Sequence, residues 1–81
     1  MFMNVQFKNR KKEFVGKEYS YELCADEEVP ADNSIVRLMD ENYNYLCYGT
    51  RVRVNSVTTT PRGKVAEYLK ARYVKASLDE D

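Results

Sequence analysis

The chain has 81 residues, 43% of them apolar, and its 13 basic and 13 acidic side chains give a formal net charge of zero. This length fits one small domain and excludes a large internal pocket. No histidine is present, which excludes Ser-His-Asp and Cys-His catalytic systems, and the balanced charge argues against a uniformly basic nucleic-acid binder. We therefore predict one domain over residues 1–78 and a frayed acidic tail over residues 79–81.

Two strands are predicted in the first part of the chain. Residues 3–7 alternate between apolar and polar side chains, which is the period of a half-buried strand. A basic turn over 8–12 follows, and residues 13–24 form a second strand with a bend at Gly16. The polar faces of these strands are predicted to point away from the core, and they consist of Asn4, Gln6, Lys17, Glu18, Ser20 and Glu22.

Two further strands are predicted after an acidic loop over residues 25–33. Residues 34–39 are mostly apolar and read as the third strand. The segment 40–42 supplies turn chemistry, because short Asp and Asn side chains bond to the local backbone and tolerate left-handed conformations. Residues 43–48 are predicted to continue as a tyrosine-rich strand.

The remaining elements are a strand, a helical turn and a final strand. Residues 50–57 alternate strictly, which predicts a strand with Arg51 and Arg53 on its solvent side. Thr and Pro before an apolar stripe predict a short helical turn over 61–69. Residues 71–78 then have the character of a closing strand.

This pattern of short strands and tight polar turns predicts an all-β, β-dominated domain. Closure into a barrel is the usual way for so small a sheet to avoid exposed strand edges. We expect a five- to six-stranded barrel that is either SH3-like or OB-like, with at most one short helix near the C-terminus.

The layout also carries a family resemblance. Its segments, in order, are a first strand that reaches residues 7–9, a Gly-Lys-x-Tyr-x-Tyr strand starting at Gly16, a polar loop, an apolar strand over 35–38, a Tyr-Gly strand over 48–54, and a final strand over 72–76 that contains an aromatic residue. This order resembles that of a class of small phage and prophage proteins. The resemblance implies a small β-barrel of phage or mobile-element origin without an assigned activity.

Candidate sites for chemistry are absent from the sequence pattern. The acidic residues 26–28 and Asp32 share one loop, but they lack the alternating oxygen ligands and central Gly of a calcium loop. Residues 61–64 contain one Gly outside the context of a phosphate-binding loop. We therefore predict that the protein is not an enzyme, and that it has no catalytic residue, metal site or cofactor.

A binding surface is predicted instead. Residues 25–42 hold six acidic side chains and one basic one, whereas residues 43–78 hold seven basic and one acidic. The predicted binding residues combine the Tyr cluster with the neighbouring basic strand: Tyr43, Tyr45, Tyr48, Arg51 and Arg53. Tyr and Arg are enriched in interface hot spots, so a protein-interaction module is the first hypothesis, with a host, phage or second copy as partner. The alternative is a single-stranded nucleic-acid-binding barrel, since basic side chains interleaved with aromatics suit that ligand.

Cellular context is predicted from the cysteines and from hydropathy. Cys24 and Cys47 form no Cys-x-x-Cys pair and are predicted to be two reduced thiols acting as small apolar groups. No signal peptide or membrane-spanning stretch is predicted. We expect a cytoplasmic protein without a membrane partner, located in the host cytoplasm if it is phage encoded. The oligomeric state stays open.

Overall fold

The alternating segments of the sequence become five strands that close into one barrel. The structure is a computed structural model that describes residues 1–77, apart from the side chains of residues 67–69. The strands are β1 (Phe2–Phe7), β2 (Tyr19–Leu23), β3 (Ile35–Met39), β4 (Arg51–Thr58) and β5 (Lys64–Lys75). They pair in the closed order β1-β2-β5-β3-β4, which confirms the predicted all-β fold and small barrel.

One parallel pair distinguishes the barrel. β2 and β5 run parallel, while the other four neighbouring pairs are antiparallel. β1 closes the ring by pairing with β2 on one side and with β4 on the other. Each strand therefore pairs with two others, and the sheet has no terminal strand whose whole length is left as an open edge.

The inward-facing side chains form a single apolar core. Alternate positions of every strand contribute to it, as the period of two requires. Its buried members are Met3, Val5, Tyr21, Leu23, Val36, Leu38, Val52, Val54 and Ala71. Burial of each large aliphatic side chain is worth about 1.5–3 kcal/mol, so this cluster supplies the main stabilisation of the domain.

The outward-facing polar residues of β1 and β2 are not all solvated. Asn4 and Ser20, both predicted to face solvent, are 0% exposed. The Ser20 hydroxyl donates to Asn4 Oδ1 at 2.6 Å, and the backbone N–H of Arg62 donates to the same oxygen at 3.1 Å. The N–H of Gly63 donates to Ser20 Oγ at 2.8 Å. The prediction is wrong here because the segment before β5 lies against these two side chains.

The amide nitrogen of Asn4 completes this buried polar network. It donates to Thr58 Oγ1 at 2.8 Å and to Ser56 Oγ at 3.1 Å, both on β4. Next to it, the N–H of Lys64 donates to the carbonyl of Glu18 at 2.9 Å. These hydrogen bonds join β1, β2, β4 and the start of β5 on the outside of the barrel.

The predicted helical turn over 61–69 is wrong. β5 is one continuous strand of 12 residues, Lys64–Lys75. It pairs with β2 at residues 64–65 and 70–71, with a register shift between them, and Arg72–Lys75 pair with β3. β5 thus fills the gap between β2 and β3 by pairing first with one and then with the other, which outweighs a weak local helix preference. The predicted closing strand over 71–78 is confirmed as far as Lys75, while Leu78 and the acidic tail 79–81 lie outside the described residues.

The predicted tyrosine-rich strand over 43–48 is also wrong. Asp40 Oδ1 accepts the backbone N–H of Asn42 at 2.8 Å and that of Asn44 at 3.0 Å, which fixes a turn. These hydrogen bonds, led by the one from Asn44, lower the pKa of the Asp40 carboxyl. Tyr43 takes a left-handed backbone conformation with φ of 66°, and Tyr45 makes one isolated bridge with Met39. The second predicted strand, 13–24, likewise shortens to β2.

Candidate binding surface

The candidate surface is built around a left-handed turn between β3 and β4. Cys47, Tyr48 and Gly49 have consecutive positive φ values of 52°, 58° and 71°. The N–H of Gly49 donates to the carbonyl of Leu46, and that of Thr50 donates to the carbonyl of Cys47, both at 3.0 Å. A non-glycine residue in this conformation costs about 1–2 kcal/mol. Cys47 and Tyr48 both take this conformation, so the rest of the fold has to offset the backbone strain at these two residues.

Two tyrosines project from this turn. Tyr48 is fully exposed, at 104% of its reference area, and Tyr45 is 56% exposed. A Cβ at Gly49 would lie 3.5 Å from the Tyr45 ring, so this ring sits beside the turn backbone. Arg37 Nε donates to the carbonyl of Gly49 at 3.1 Å and ties the turn to β3. The Tyr45 ring thus lies against the turn, while the Tyr48 ring stands fully open to solvent on it.

An open concavity of about 460 Å³ lies beside the two tyrosines. The described residues that line it include three basic and two aromatic side chains and no acidic one: Lys8, Arg37, Tyr45, Tyr48, Gly49, Thr50 and Arg51. A concave surface lined by one sign of charge raises the local concentration of the opposite sign. The concavity is therefore suited to a ligand that carries negative charge together with an aromatic or apolar portion.

Arg51 lies at the buried side of this concavity rather than on an open strand face. It is only 6% exposed, and its guanidinium Nη1 donates to the carbonyl of Ser77. The prediction that Arg51 faces solvent is wrong because the chain that follows β5 reaches this side chain. Arg37 is its direct cross-strand partner, and the N–H of Lys8 donates to the Arg51 carbonyl at 3.1 Å. Lys8, which follows β1, therefore lines the same concavity as Arg37 on β3 and Arg51 on β4.

Tyr43, the first of the predicted binding residues, lies in a different cluster. Its ring lies 4.6 Å from the Arg72 guanidinium, a cation–π distance. Arg72 also bonds to Asp26 at 3.0 Å and to Glu27 at 3.2 Å. The Arg72 guanidinium lowers the pKa of Asp26, and the hydrogen bond to Asp26 raises the pKa of Arg72. This cluster joins the acidic loop, the turn that Asp40 fixes at residues 40–44, and β5.

Arg53, the last of the predicted residues, is half-buried and lies apart from both clusters, beside β1 and Phe14. Its Nη2 donates to Gln6 Oε1 at 2.9 Å, and its Nε donates to Asn55 Oδ1 at 3.0 Å. The guanidinium carbon lies 5.8 Å from the centre of the Phe14 ring. The structure therefore brings together Tyr45, Tyr48 and Arg51 of the predicted set and separates Tyr43 and Arg53 from them.

Sequence reasoning missed two residues of the surface, Lys8 and Arg37. Lys8 belongs to the predicted basic turn over 8–12, and Arg37 lies within the mostly apolar residues 34–39. A signal for Arg37 was available, because a hairpin that turns over 40–50 sets residue 37 opposite residue 51. Lys8 follows β1 and reaches the surface only through the closure of β1 on β4.

The two cysteines also separate. Both are free, with Cys24 buried and Cys47 exposed, so the prediction of small apolar thiols holds for Cys24 and is wrong for the exposed Cys47. Burial raises the pKa of the Cys24 thiol. Cys47 Sγ lies 3.7 Å from the hydroxyl of Tyr21, whose ring belongs to the core. Burial, with the contact to Cys47 adding to it, raises the pKa of Tyr21.

Replacement of Tyr48 by glycine is expected to raise the free energy of unfolding by about 1 kcal/mol. The ring is fully exposed, so no packing is lost, and glycine adopts the left-handed conformation without steric cost. Urea denaturation of the Tyr48→Gly variant beside the wild type measures the effect. A loss of stability would show that the Tyr48 side chain contributes to the fold.

Comparison with known proteins identifies no relative of this chain. No protein-family model, curated protein or solved structure matches the chain. Within the described residues, no group of three or more His, Cys, Asp or Glu side chains is placed to hold a metal ion. Over residues 1–77, no helix has the length and apolar character needed to cross a membrane.

Proposed function

We propose that the protein is a non-enzymatic accessory protein, of phage or prophage origin as the resemblance implies, that binds another protein through the Tyr45–Tyr48 surface. The observation that carries the proposal is the full exposure of Tyr48 on a left-handed turn. A residue in a costly backbone conformation whose side chain is fully exposed is not explained by stability. Such sites occur where a fold holds a side chain for function.

The composition of the surface supports a protein partner. Tyr and Arg are the residues most enriched among interface hot spots, and Tyr45, Tyr48 and Arg51 supply both types around one concavity. An aromatic ring loses little conformational entropy when it is buried against a partner. The open concavity is wide enough to receive a side chain of that partner.

Single-stranded nucleic acid is the second candidate ligand. The three basic residues beside two tyrosines favour it, because bases stack on aromatic rings while basic groups follow the backbone. Against it, Asp26 and Glu27 lie with Arg72 in the cluster of Tyr43, on the same connection between β3 and β4 that carries the candidate surface. A protein partner is therefore the first candidate, since acidic groups near the surface repel phosphates.

Capture experiments with matched tyrosine variants test the proposed function. Tagged wild-type protein is expected to retain a defined host or phage protein, and the Tyr45→Ala/Tyr48→Ala variant is expected to bind it at least about tenfold more weakly. Tyr43→Ala is the control, because Tyr43 is exposed to 63%, close to the 56% of Tyr45, and does not line the concavity. Nuclease treatment of the lysate separates direct binding from nucleic-acid bridging. Unchanged capture by the double variant would overturn the proposal.

A further inference from the structure

The path of the chain after β5 leads to the concavity of the candidate surface. The N–H of Ala76 donates to the carbonyl of Ile35 at 2.9 Å, where β3 begins. The carbonyl of Ser77 then accepts a hydrogen bond from Nη1 of Arg51 on β4. Arg51 lines the concavity. The chain therefore passes from β5 beside the start of β3 and reaches the concavity at Ser77.

The sequence that follows Ser77 complements the lining of this concavity. It reads Leu78-Asp79-Glu80-Asp81, one apolar side chain and then three acidic ones. The described residues that line the concavity include three basic and two aromatic side chains and no acidic one. Such a lining suits a ligand that combines negative charge with an apolar portion. Residues 78–81 have this composition and follow directly on the residue that contacts Arg51.

All three basic side chains are within reach of this segment. Four residues span at most about 14 Å when fully extended. Arg37 stands directly opposite Arg51 in the β3–β4 pair, and the Cβ atoms of residues in such positions are about 5 Å apart. The N–H of Lys8 donates to the Arg51 carbonyl at 3.1 Å. A segment that starts at Ser77 can therefore place carboxylates beside each cation.

The polar groups around the concavity are engaged within the protein. Among the side chains that the structure describes, no buried nitrogen or oxygen lacks a hydrogen-bond partner. Lys8, Arg37 and Ser77 each make an interaction in addition to those given above. These cations therefore do not require an anion from another molecule. An acidic segment of the same chain also has the advantage of a high effective concentration, because its attachment point is fixed beside the site.

We infer that residues 78–81 bind back into the basic side of the concavity, an autoinhibitory contact whose regulatory consequence rests on the proposed function. Their carboxylates pair with Lys8, Arg37 and Arg51 through charge-assisted hydrogen bonds. Tyr48, which is fully exposed, stays open to meet a partner first. The partner then has to displace the acidic tail to enter the concavity. Ion pairs at an open surface are individually weak and are screened by salt, so this contact is reversible.

NMR of the full chain labelled with nitrogen-15 tests the contact from the side of the tail. The test variant is Asp79→Asn/Glu80→Gln/Asp81→Asn, which keeps the shape of the tail and removes its charge. The matched control is Glu22→Gln/Glu28→Gln/Asp32→Asn, because these three acidic residues are exposed and do not line the concavity. The test variant is expected to shift the amide signals of residues 8, 37 and 49–51. It is also expected to make these signals more sensitive to broadening by a neutral gadolinium chelate, whereas the control changes neither property.

Two further measurements test the contact from the side of the barrel and by its charge. Lys8→Gln is expected to shift the amide signals of residues 79–81, while the hydrogen bond from its backbone N–H to Arg51 is retained. Lys17→Gln, at an exposed basic residue that does not line the concavity, is the control and is expected to leave them in place. Sodium chloride at about 1 M, where the screening length falls to about 3 Å, is expected to move the wild-type signals toward those of the test variant.

Partner binding tests the regulatory consequence. The protein that wild type captures is expected to bind the tail variant at least about threefold more tightly, because a larger fraction of the molecules then has an open concavity. Equal or weaker binding would overturn the autoinhibition.

The outcomes distinguish the inference from the proposed function. Equal spectra of the tail variant and its control at residues 8, 37 and 49–51, or no response of residues 79–81 to Lys8→Gln, would overturn the inference and leave the proposed function to the tyrosine variants. Capture of no protein by either wild type or the tail variant would overturn the proposed function and the competition with it, while the NMR comparison would still decide the contact.

Discussion

Replacement of Gly63 by alanine is expected to lower the free energy of unfolding by about 3 kcal/mol, at the upper end of what one added methyl group costs. A Cβ at Gly63 would lie 2.2 Å from the backbone oxygen of Glu18 and 2.5 Å from its carbonyl carbon. Backbone atoms cannot rotate away as a side chain can. Relief of the clash would pull the chain off β2 and break the hydrogen bonds from Gly63 to Ser20 and from Lys64 to Glu18. Urea denaturation followed by circular dichroism measures the loss.

Gly16→Ala is the matched control for this substitution. A Cβ at Gly16 would meet nothing within 4 Å, but its φ of +93° is left-handed. Its cost is therefore conformational and is expected to be about 1 kcal/mol. If Gly63→Ala costs no more than Gly16→Ala, the close approach of residue 63 to β2 does not constrain the fold.

Replacement of Asn4 by alanine is expected to cost about 3 kcal/mol. The side chain is 0% exposed and bonds to Ser20, to the N–H of Arg62, and to Thr58. Its removal leaves several of these groups without their partner in a place that water does not reach, and the cost of an unpaired buried group exceeds the gain from a paired one. Equilibrium unfolding of the purified variant measures the change.

Two further variants test the origin of this cost. In a double-mutant cycle, Ser20→Ala is expected to be less damaging in the Asn4→Ala background, with a coupling of about 1 kcal/mol, because the two side chains share a hydrogen bond. Asn55→Ala removes a half-buried amide from β4 and is expected to cost about 1 kcal/mol or less. Additive effects of Asn4 and Ser20, or an equal cost at Asn55, would contradict a cooperative buried network.

The strands could be predicted because the core imposes a strict alternation on them. Val52 and Val54 are fully buried, as the pattern of residues 50–57 indicates, and Val36 and Leu38 behave in the same way on β3. Each strand contributes its apolar face to one cluster, so the local period is also the period of the fold. The same period cannot show which strand pairs with which, and the parallel β2–β5 pair has no local signal.

The errors arise where distant segments cover a polar residue or replace a local preference. Arg51 lies on the outer side of its strand as predicted, yet it is buried because the chain around Ser77 reaches it. Asn4 is buried by residues close to 62, far along the chain. The helical stripe predicted over 61–69 is overruled by pairing partners that exist only once the barrel has formed.

The candidate surface could be predicted in part for the same reason. Tyr45, Tyr48 and Arg51 lie close together along the chain, and the turn keeps them close in space. Tyr43 is only two residues from Tyr45, but the turn fixed by Asp40 and its own left-handed backbone direct its ring to Arg72. Lys8 follows β1, near the start of the chain, and its position beside Arg51 depends on the register of the β1–β4 pair.

The pairing of β5 with β2 also sets the order of events during synthesis. The β3–β4 pair brackets a short connection over residues 40–50 and can form from local sequence, whereas β1 and β4 join residues as far apart as Phe2 and Thr58, 56 positions away. The gap between β2 and β3 stays open until β5 has left the ribosome. A nascent chain that ends before residue 64 is therefore expected to expose the apolar faces of four strands until β5 closes the barrel. Closure itself is expected on the order of milliseconds to seconds, because such distant contacts form slowly.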